Sequence, residues 1–140
     1  MKVREVMTTS VECAAPNTTV VELATMMKNN DIGSIPICEA QKVIGIITDR
    51  DIVLKAVADG KNIEKRTAKE VMNSKVITVT ADQDVHEAAS LMSKYQIRRL
   101  PVVEQGKLIG IVALGDLAIE KIHVNEAGDA LSEISQGAHH

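Results

Sequence analysis

The residues best placed by type and spacing to do chemistry are Thr48 and Asp51, at the end of the run Gly45-Ile46-Ile47-Thr48-Asp49-Arg50-Asp51. The run is apolar up to Ile47 and then turns directly into a helical pattern, which puts both side chains at a helix N-terminus. Unpaired backbone N–H groups and the positive dipole end favour an anion there, such as phosphate. The Thr48 hydroxyl adds one donor. Asp51, one turn further on, is an acceptor-only group suited to the paired hydroxyls of a ribose, the part an acidic residue plays in dinucleotide folds. Phosphate and ribose together specify a nucleotide. The same Thr-x-x-Asp spacing also suits a helix cap, with Asp favourable in the first turn whether or not a ligand is bound. Both readings stand at this point.

A second candidate is Arg98-Arg99, immediately before the apolar run Leu100-Pro101-Val102-Val103. Guanidinium groups pair with phosphate in a fixed fork and hold their charge throughout the physiological range; the alternative is a pair of exposed cations opening a strand. No Ser or Cys is matched to a positioned His, and the carboxylates form no readable dyad. The glycines follow neither Walker nor Rossmann spacing. The chain is therefore not expected to be an enzyme. Cys13 and Cys38 lie in apolar stretches with 24 residues between them and no His close in sequence, so buried thiols are expected ahead of a regulatory disulfide or a metal site. His86 and His123 sit singly in helical patterns and should be exposed. His139-His140, after Gln136-Gly137-Ala138, have the look of a purification-tag remnant.

The elements that must hold these residues are written twice. At an offset of 65 residues Glu5-Val6-Met7 falls on Glu70-Val71-Met72, Pro36 on Pro101, Gly45-Ile46 on Gly110-Ile111 and Asp51 on Asp116, without a gap. Sixteen of the 53 positions from Glu5 to Val57 match their partner, where chance would give about three. The repeat is a duplicated module, too complex for a helical solenoid. Each copy opens with a short helical turn (Val3 to Met7; Thr67 to Met72, capped by Thr67) and a brief strand (Val11 to Ala14; Val76 to Val79). Apolar residues at 20, 23, 24 and 27, and at 85, 88, 89 and 92, mark amphipathic helices. Thr19 with Glu22 and Asp84 with Glu87 have the spacing of capping boxes. Two apolar strands follow in each copy, 35–38 and 43–47, then 100–103 and 108–112, rich in β-branched residues. Closing helices are expected from Asp49 to Ala58 and from Leu114 to Val124. The fold class is α/β (α+β), with β-α-β-β-α modules at 1–60 and 67–124, a linker at 61–66 and a loose tail at 125–140.

Bulk properties narrow the classes further. A 65-residue half alone would be marginal, so the halves are expected to share a core. A formal charge of −3 with scattered Lys and Arg gives no footprint for nucleic acid, and Tyr95 is the single aromatic residue, which removes base-stacking platforms. No apolar run approaches the length of a membrane span, and the first residues lack the centre of a signal peptide. A cytoplasmic location without membrane association is expected.

With these marks in view, the chain resembles a tandem pair of cystathionine β-synthase (CBS) domains over about residues 1 to 124. The marks are the Val-Met before the first strand, the Ile/Leu-Pro-Ile/Val strand at 35–37 and 100–102, and the Gly-x-x-Thr-x-x-Asp element at 45–51, repeated at one offset. The resemblance implies two pseudo-symmetric modules packed sheet to sheet, clefts for adenosine-containing ligands and a homodimer. It puts Thr48 on phosphate and Asp51 on ribose, with Ser74, Val76 and Ile77 lining the adenine side. Adenine would lie between aliphatic side chains such as Ile46, Val76 and Ile77. Arg98 and Arg99 match the place from which nucleotide-binding members direct charge to the phosphates. A second, weaker site would use Asp116, with Thr9, Val11 and Glu12 near the base, but Ala113 stands where the first has Thr48 and Gly115 where it has Arg50. The implied function is a stand-alone regulatory module that binds AMP, ADP or ATP without a required cofactor and acts as an energy sensor for a separate effector protein. The alternatives are a constitutive dimerisation scaffold, or a sensor of S-adenosylmethionine or a cyclic dinucleotide.

Overall fold

The computed structural model describes residues 1–119, of which 118 and 119 are described by backbone alone. His123, His139, His140, the end of the closing helix and the tail lie outside the described residues. Two compact units form, and they do not follow the repeat. One is Glu12–Val76; the other joins Met1–Val11 to the chain from Ile77 onward.

In the Glu12–Val76 unit, α1 (Val20–Asn30) starts at Thr19, whose Oγ1 accepts from Glu22 N at 3.2 Å while Glu22 Oε2 accepts from Thr19 N at 3.4 Å. This is the capping box its sequence predicts. The helix buries Val20, Leu23 and Met27 and stops where Asp31 turns left-handed at φ 52°. β1 (Ser34–Glu39) and β2 (Lys42–Thr48) pair antiparallel, Ile35 opposite Ile47, with an irregularity between Ile37 and Cys38. α2 (Asp49–Asp51) continues without a break as π-helical turns over Ile52–Val57. A short helix, α3 (Ala68–Val71), closes the unit. Its buried cluster gathers Leu23, Ile35, Ile37, Ile47, Ala56, Ala68 and Val71.

The other unit repeats the plan. β3 (Val79–Thr80) runs parallel to β4 (Arg99–Glu104), which pairs antiparallel with β5 (Lys107–Ala113). α4 (Val85–Tyr95) and α5 (Leu114–Ile119) complete it. Here Val3, from a 3₁₀ turn at Val3–Glu5, is buried with Val79, Val85, Met92, Leu100, Val112 and Leu117. A fully buried Leu such as Leu100 contributes about 1.5–3 kcal/mol over its exposed state.

Each cluster is thus completed by the short helical turn that opens the other copy of the repeat. Val3 N donates to Gln83 O at 2.9 Å and Arg4 N to Ala81 O at 3.0 Å; Ala68 N donates to Thr18 O at 2.7 Å and Lys69 N to Pro16 O at 2.9 Å. The single shared core expected from the size of a half is therefore replaced by two clusters, and the halves depend on one another through exchanged segments.

Several local expectations are corrected. The strand expected at Val11 to Ala14 is reduced to one parallel bridge, Ala14 to Ile37, because only Ala14 lies alongside β1. That expected at Val76 to Val79 survives as Val79–Thr80. Thr67 occupies a cap position but accepts no backbone hydrogen bond, its hydroxyl donating to Glu70 Oε1 at 3.2 Å. Asp84 caps through His86 N at 2.8 Å, not Glu87 N. The thiols are not buried: Cys13 is exposed and Cys38 half-buried. His86 is exposed as expected. Among the described residues no helix is long and apolar enough to cross a membrane.

Candidate ligand site

The site grows from a close approach that the repeat encodes twice. Gly45 sits in β2 beneath Met72; a Cβ there would meet Met72 Cγ at 2.9 Å and the Asn73 carbonyl at 3.3 Å. The missing side chain at Gly45 lets the chain after α3 lie close against β2. That chain is then fixed by a reciprocal pair of backbone bonds, Ile46 N to Asn73 O at 2.9 Å and Asn73 N to Ile46 O at 2.8 Å. Gly110 plays the same part under Met7, with Thr8 and Ile111 exchanging bonds of 2.8 and 2.9 Å. The Val-Met and Gly-Ile marks recur because each methionine lies on the glycine of the other copy.

In the Glu12–Val76 unit this brings Ile46, Thr48 and Asp51 together with the segment carrying Ser74 and Val76. Thr48 and Asp51 form a capping box: Asp51 N donates to Thr48 Oγ1 at 3.0 Å and Thr48 N to Asp51 Oδ2 at 3.0 Å. The capping reading of these residues is realised. It leaves ligand chemistry available, because the Thr48 oxygen is used as an acceptor and its proton can still be donated. Asp51 Oδ1 faces Lys55 Nζ at 3.4 Å, and a carboxylate has acceptor capacity beyond one bond to each oxygen. Both side chains are half-buried. Glu12 also belongs to this unit.

The remaining candidates lie in the other unit: Ile77, Arg98, Arg99 and Asp116, with Thr9 and Val11. Arg99 pairs in register with Ala113, and Leu114 N donates to Arg98 O at 2.8 Å. Asp116 Oδ2 accepts from Ala113 N at 2.8 Å, half of the box that Thr48 and Asp51 complete. Burial pulls the Arg99 guanidinium below its ordinary value, and the nearby Asp116 carboxylate opposes the shift. The structure therefore groups Arg98 and Arg99 with Asp116, and Thr48 and Asp51 with Ser74. Ser74 and Val76, which belong to the second copy of the repeat, share a spatial unit with Thr48. The Met–Gly repetition carries the signal for this, but it does not say which copy each methionine covers.

The two groups differ in charge. Thr48 is followed in the chain by Asp49, Arg50 and Asp51, whereas Arg99 lies near Asp116 and the Arg98 carbonyl accepts from Leu114 N. The first is rich in acceptors suited to hydroxyls, the second in donors suited to phosphate.

Comparison with known proteins gives a consistent picture. A model of the CBS domain matches the chain twice, over residues 3–57 and 68–122. The CBS domain-containing protein YhcV of Bacillus subtilis (strain 168) is 41% identical over 133 residues, spanning 95% of this chain and 94% of that protein. The crystal structure of Hypoxic Response Protein I with two coordinated zinc ions is 34% identical, with a TM-score of 0.77 over 85% of this chain and 98% of the other. The CBS domain pair of protein MJ0100, in complex with 5′-methylthioadenosine and S-adenosyl-L-methionine, is 33% identical with a TM-score of 0.75, over 85% and 94%. Among the described residues of this chain, no group of three or more His, Cys, Asp or Glu side chains could hold a metal ion.

Proposed function

Since this chain belongs to the CBS domain family, we propose that it is a regulatory module that binds an adenine nucleotide and signals occupancy to a separate protein. What carries the reading is the Thr48–Asp51 pair, held in place by its own capping bonds yet able to donate one proton and accept hydroxyls. A ligand meeting these groups needs a ribose for Asp51 and an acceptor oxygen for Thr48. The adenosyl ligands of the MJ0100 pair support the adenosine part. In the other unit, Arg98 and Arg99 beside Asp116 offer donors suited to a phosphorylated ligand, which S-adenosylmethionine, cationic at sulfur and without phosphate, is not. Titration calorimetry with AMP, ADP, ATP and S-adenosylmethionine tests the choice: the reading requires a nucleotide to bind and S-adenosylmethionine to bind more weakly.

The arginines give a sharper expectation. Replacing both by Ala should erase any preference for ATP over adenosine, since each charge-assisted contact to phosphate is worth about 1.5–3 kcal/mol. Competition of ATP and adenosine for the double variant reads this directly. A preference that survives unchanged shows that Arg98 and Arg99 do not contact phosphate.

A homodimer is also proposed, from a specific feature of the surface. Val53, Leu54 and Val57 are about half exposed along the π-helical turns, with Val21 of α1 exposed as well, an apolar set suited to burial against a second copy. Leu54→Glu should convert the assembly to monomer in light scattering without abolishing nucleotide binding. If the variant keeps the wild-type mass, this face is not the interface.

A further inference from the structure

The two cysteines are not used by the nucleotide reading, and the fold brings them together. Ala14 makes a parallel bridge to Ile37, its N donating to Pro36 O at 3.0 Å and its O accepting from Cys38 N at 2.8 Å. Side chains alternate along both segments, so Cys13 and Cys38 share the face opposite Ala14 and Ile37. The register shift between Ile37 and Cys38 leaves its extra residue, Ile44, on β2, so β1 itself runs regularly through Cys38. Cys13 is exposed and Cys38 half-buried. Cys13 lies close enough to contribute to the upward shift of the Cys38 thiol.

We propose that Cys13 and Cys38 are a dithiol pair that closes to an intramolecular disulfide under oxidising conditions and reopens on reduction, tying the chain before α1 to the end of β1. Among the described residues before α1, Ala14 is the point where this segment bridges β1, so the bond would fasten a segment otherwise joined to the strand by two backbone hydrogen bonds. The roles of the thiols follow from their surroundings. Burial, followed by the neighbouring Cys13, pushes the Cys38 thiol up to about 11, which keeps it protonated near neutrality. Cys13, open to solvent, is the entry point. With a low-molecular-weight disulfide as oxidant, the Cys13 thiolate attacks one of its sulfurs and expels the first thiolate, leaving a mixed disulfide on Cys13. Cys38 then gives its proton to solvent and its sulfur attacks the Cys13 sulfur, expelling the second thiolate. The pair loses two electrons and two protons, and the oxidant leaves as two thiols. Forming the mixed disulfide also removes the Cys13 contributions that hold the Cys38 proton, which favours the second step.

The test uses the full chain incubated natively with oxidised glutathione, then alkylated and weighed. Both thiols should disappear together, with the monomer losing two hydrogens, and proteolysis should yield a single peptide pair joined through Cys13 and Cys38. Reduced glutathione or dithiothreitol should restore both. Cys38→Ser should stop at a glutathionyl group on Cys13, whereas Cys13→Ser should leave Cys38 unreacted over the same time. Oxidised wild type should also melt several degrees above reduced wild type, a difference absent from both variants. A wild-type chain that stays reduced, that keeps a glutathionyl group with Cys38 still open to alkylation, or that forms only interchain disulfides overturns the proposal. Because the decisive readings are on the wild-type chain, a variant that folds poorly does not protect it, and no outcome depends on nucleotide binding.

Discussion

Asp51→Ala is expected to weaken adenine ribonucleotide binding by about 10- to 100-fold, the loss of hydrogen bonds to an ionised acceptor worth about 1.5–3 kcal/mol. Asp116→Ala should change the same affinity by less than about threefold. The difference follows from local completeness: Asp51 is paired with a hydroxyl at Thr48 and returns its bond, whereas Asp116 has Ala113 in that place and makes one backbone bond. Because Asp51 also caps α2, its loss carries a stability cost of about 1 kcal/mol, which must be separated from the ligand effect. Asp51→Asn keeps an acceptor for Thr48 N and serves as the control, with lowered affinity and a Tm near wild type. A second check is chemical. An ATP analogue lacking both ribose hydroxyls should bind wild type as poorly as ATP binds Asp51→Ala, with no further loss when analogue and variant are combined. Equal losses at Asp51 and Asp116 would remove the distinction between a dominant and a weak site.

The largest stability effect is expected at Gly110. A Cβ there meets Met7 Sδ and the Thr8 carbonyl oxygen, both at 2.9 Å, and the second of these is backbone held by the Thr8–Ile111 bonds. Gly110→Ala should therefore cost about 2–3 kcal/mol, the upper part of the range for overpacking, and lower Tm by several degrees. Gly45→Ala should cost less, about 1 kcal/mol. Its tightest contacts are to the Met72 side chain, which can turn away, and the Asn73 carbonyl stands off at 3.3 Å. Met72→Ala should recover most of the loss at Gly45, while Met7→Ala should recover little at Gly110. Circular dichroism melts of the four variants and the two double variants measure this. Equal costs at the two glycines, or full rescue of Gly110→Ala by Met7→Ala, would contradict the packing described.

These pairs also explain what could be read from the residues alone. Helices α1 and α4 announce themselves because 20, 23 and 27, and 85, 88, 89 and 92, face their clusters at helical spacing, and Thr19 with Glu22 marks a start by chemistry confined to four residues. Strands β1, β2, β4 and β5 follow from β-branched runs of the right length. What the pattern does not contain is the choice of partner. A methionine at 7 could lie on Gly45 or on Gly110, and a perfect repeat makes the two choices equivalent in sequence; the exchange of opening segments is decided by chain geometry. The same blindness hid the cysteine pair, since a bridge of one residue, Ala14 to Ile37, has no periodicity to announce it. The Thr48–Asp51 spacing is legible as both cap and ligand group; the cap is observed, and it leaves the hydroxyl proton and carboxylate acceptor capacity available.

The most direct test of the central claim is a circular dichroism melt of the full chain with and without AMP, ADP, ATP and S-adenosylmethionine at millimolar concentration. A ligand present at about 100 times its Kd adds roughly 2.7 kcal/mol, enough to raise Tm by several degrees. The account predicts a selective upward shift with an adenine nucleotide that is lost in Asp51→Ala. No shift with any nucleotide, or a shift that Asp51→Ala retains in full, would contradict it.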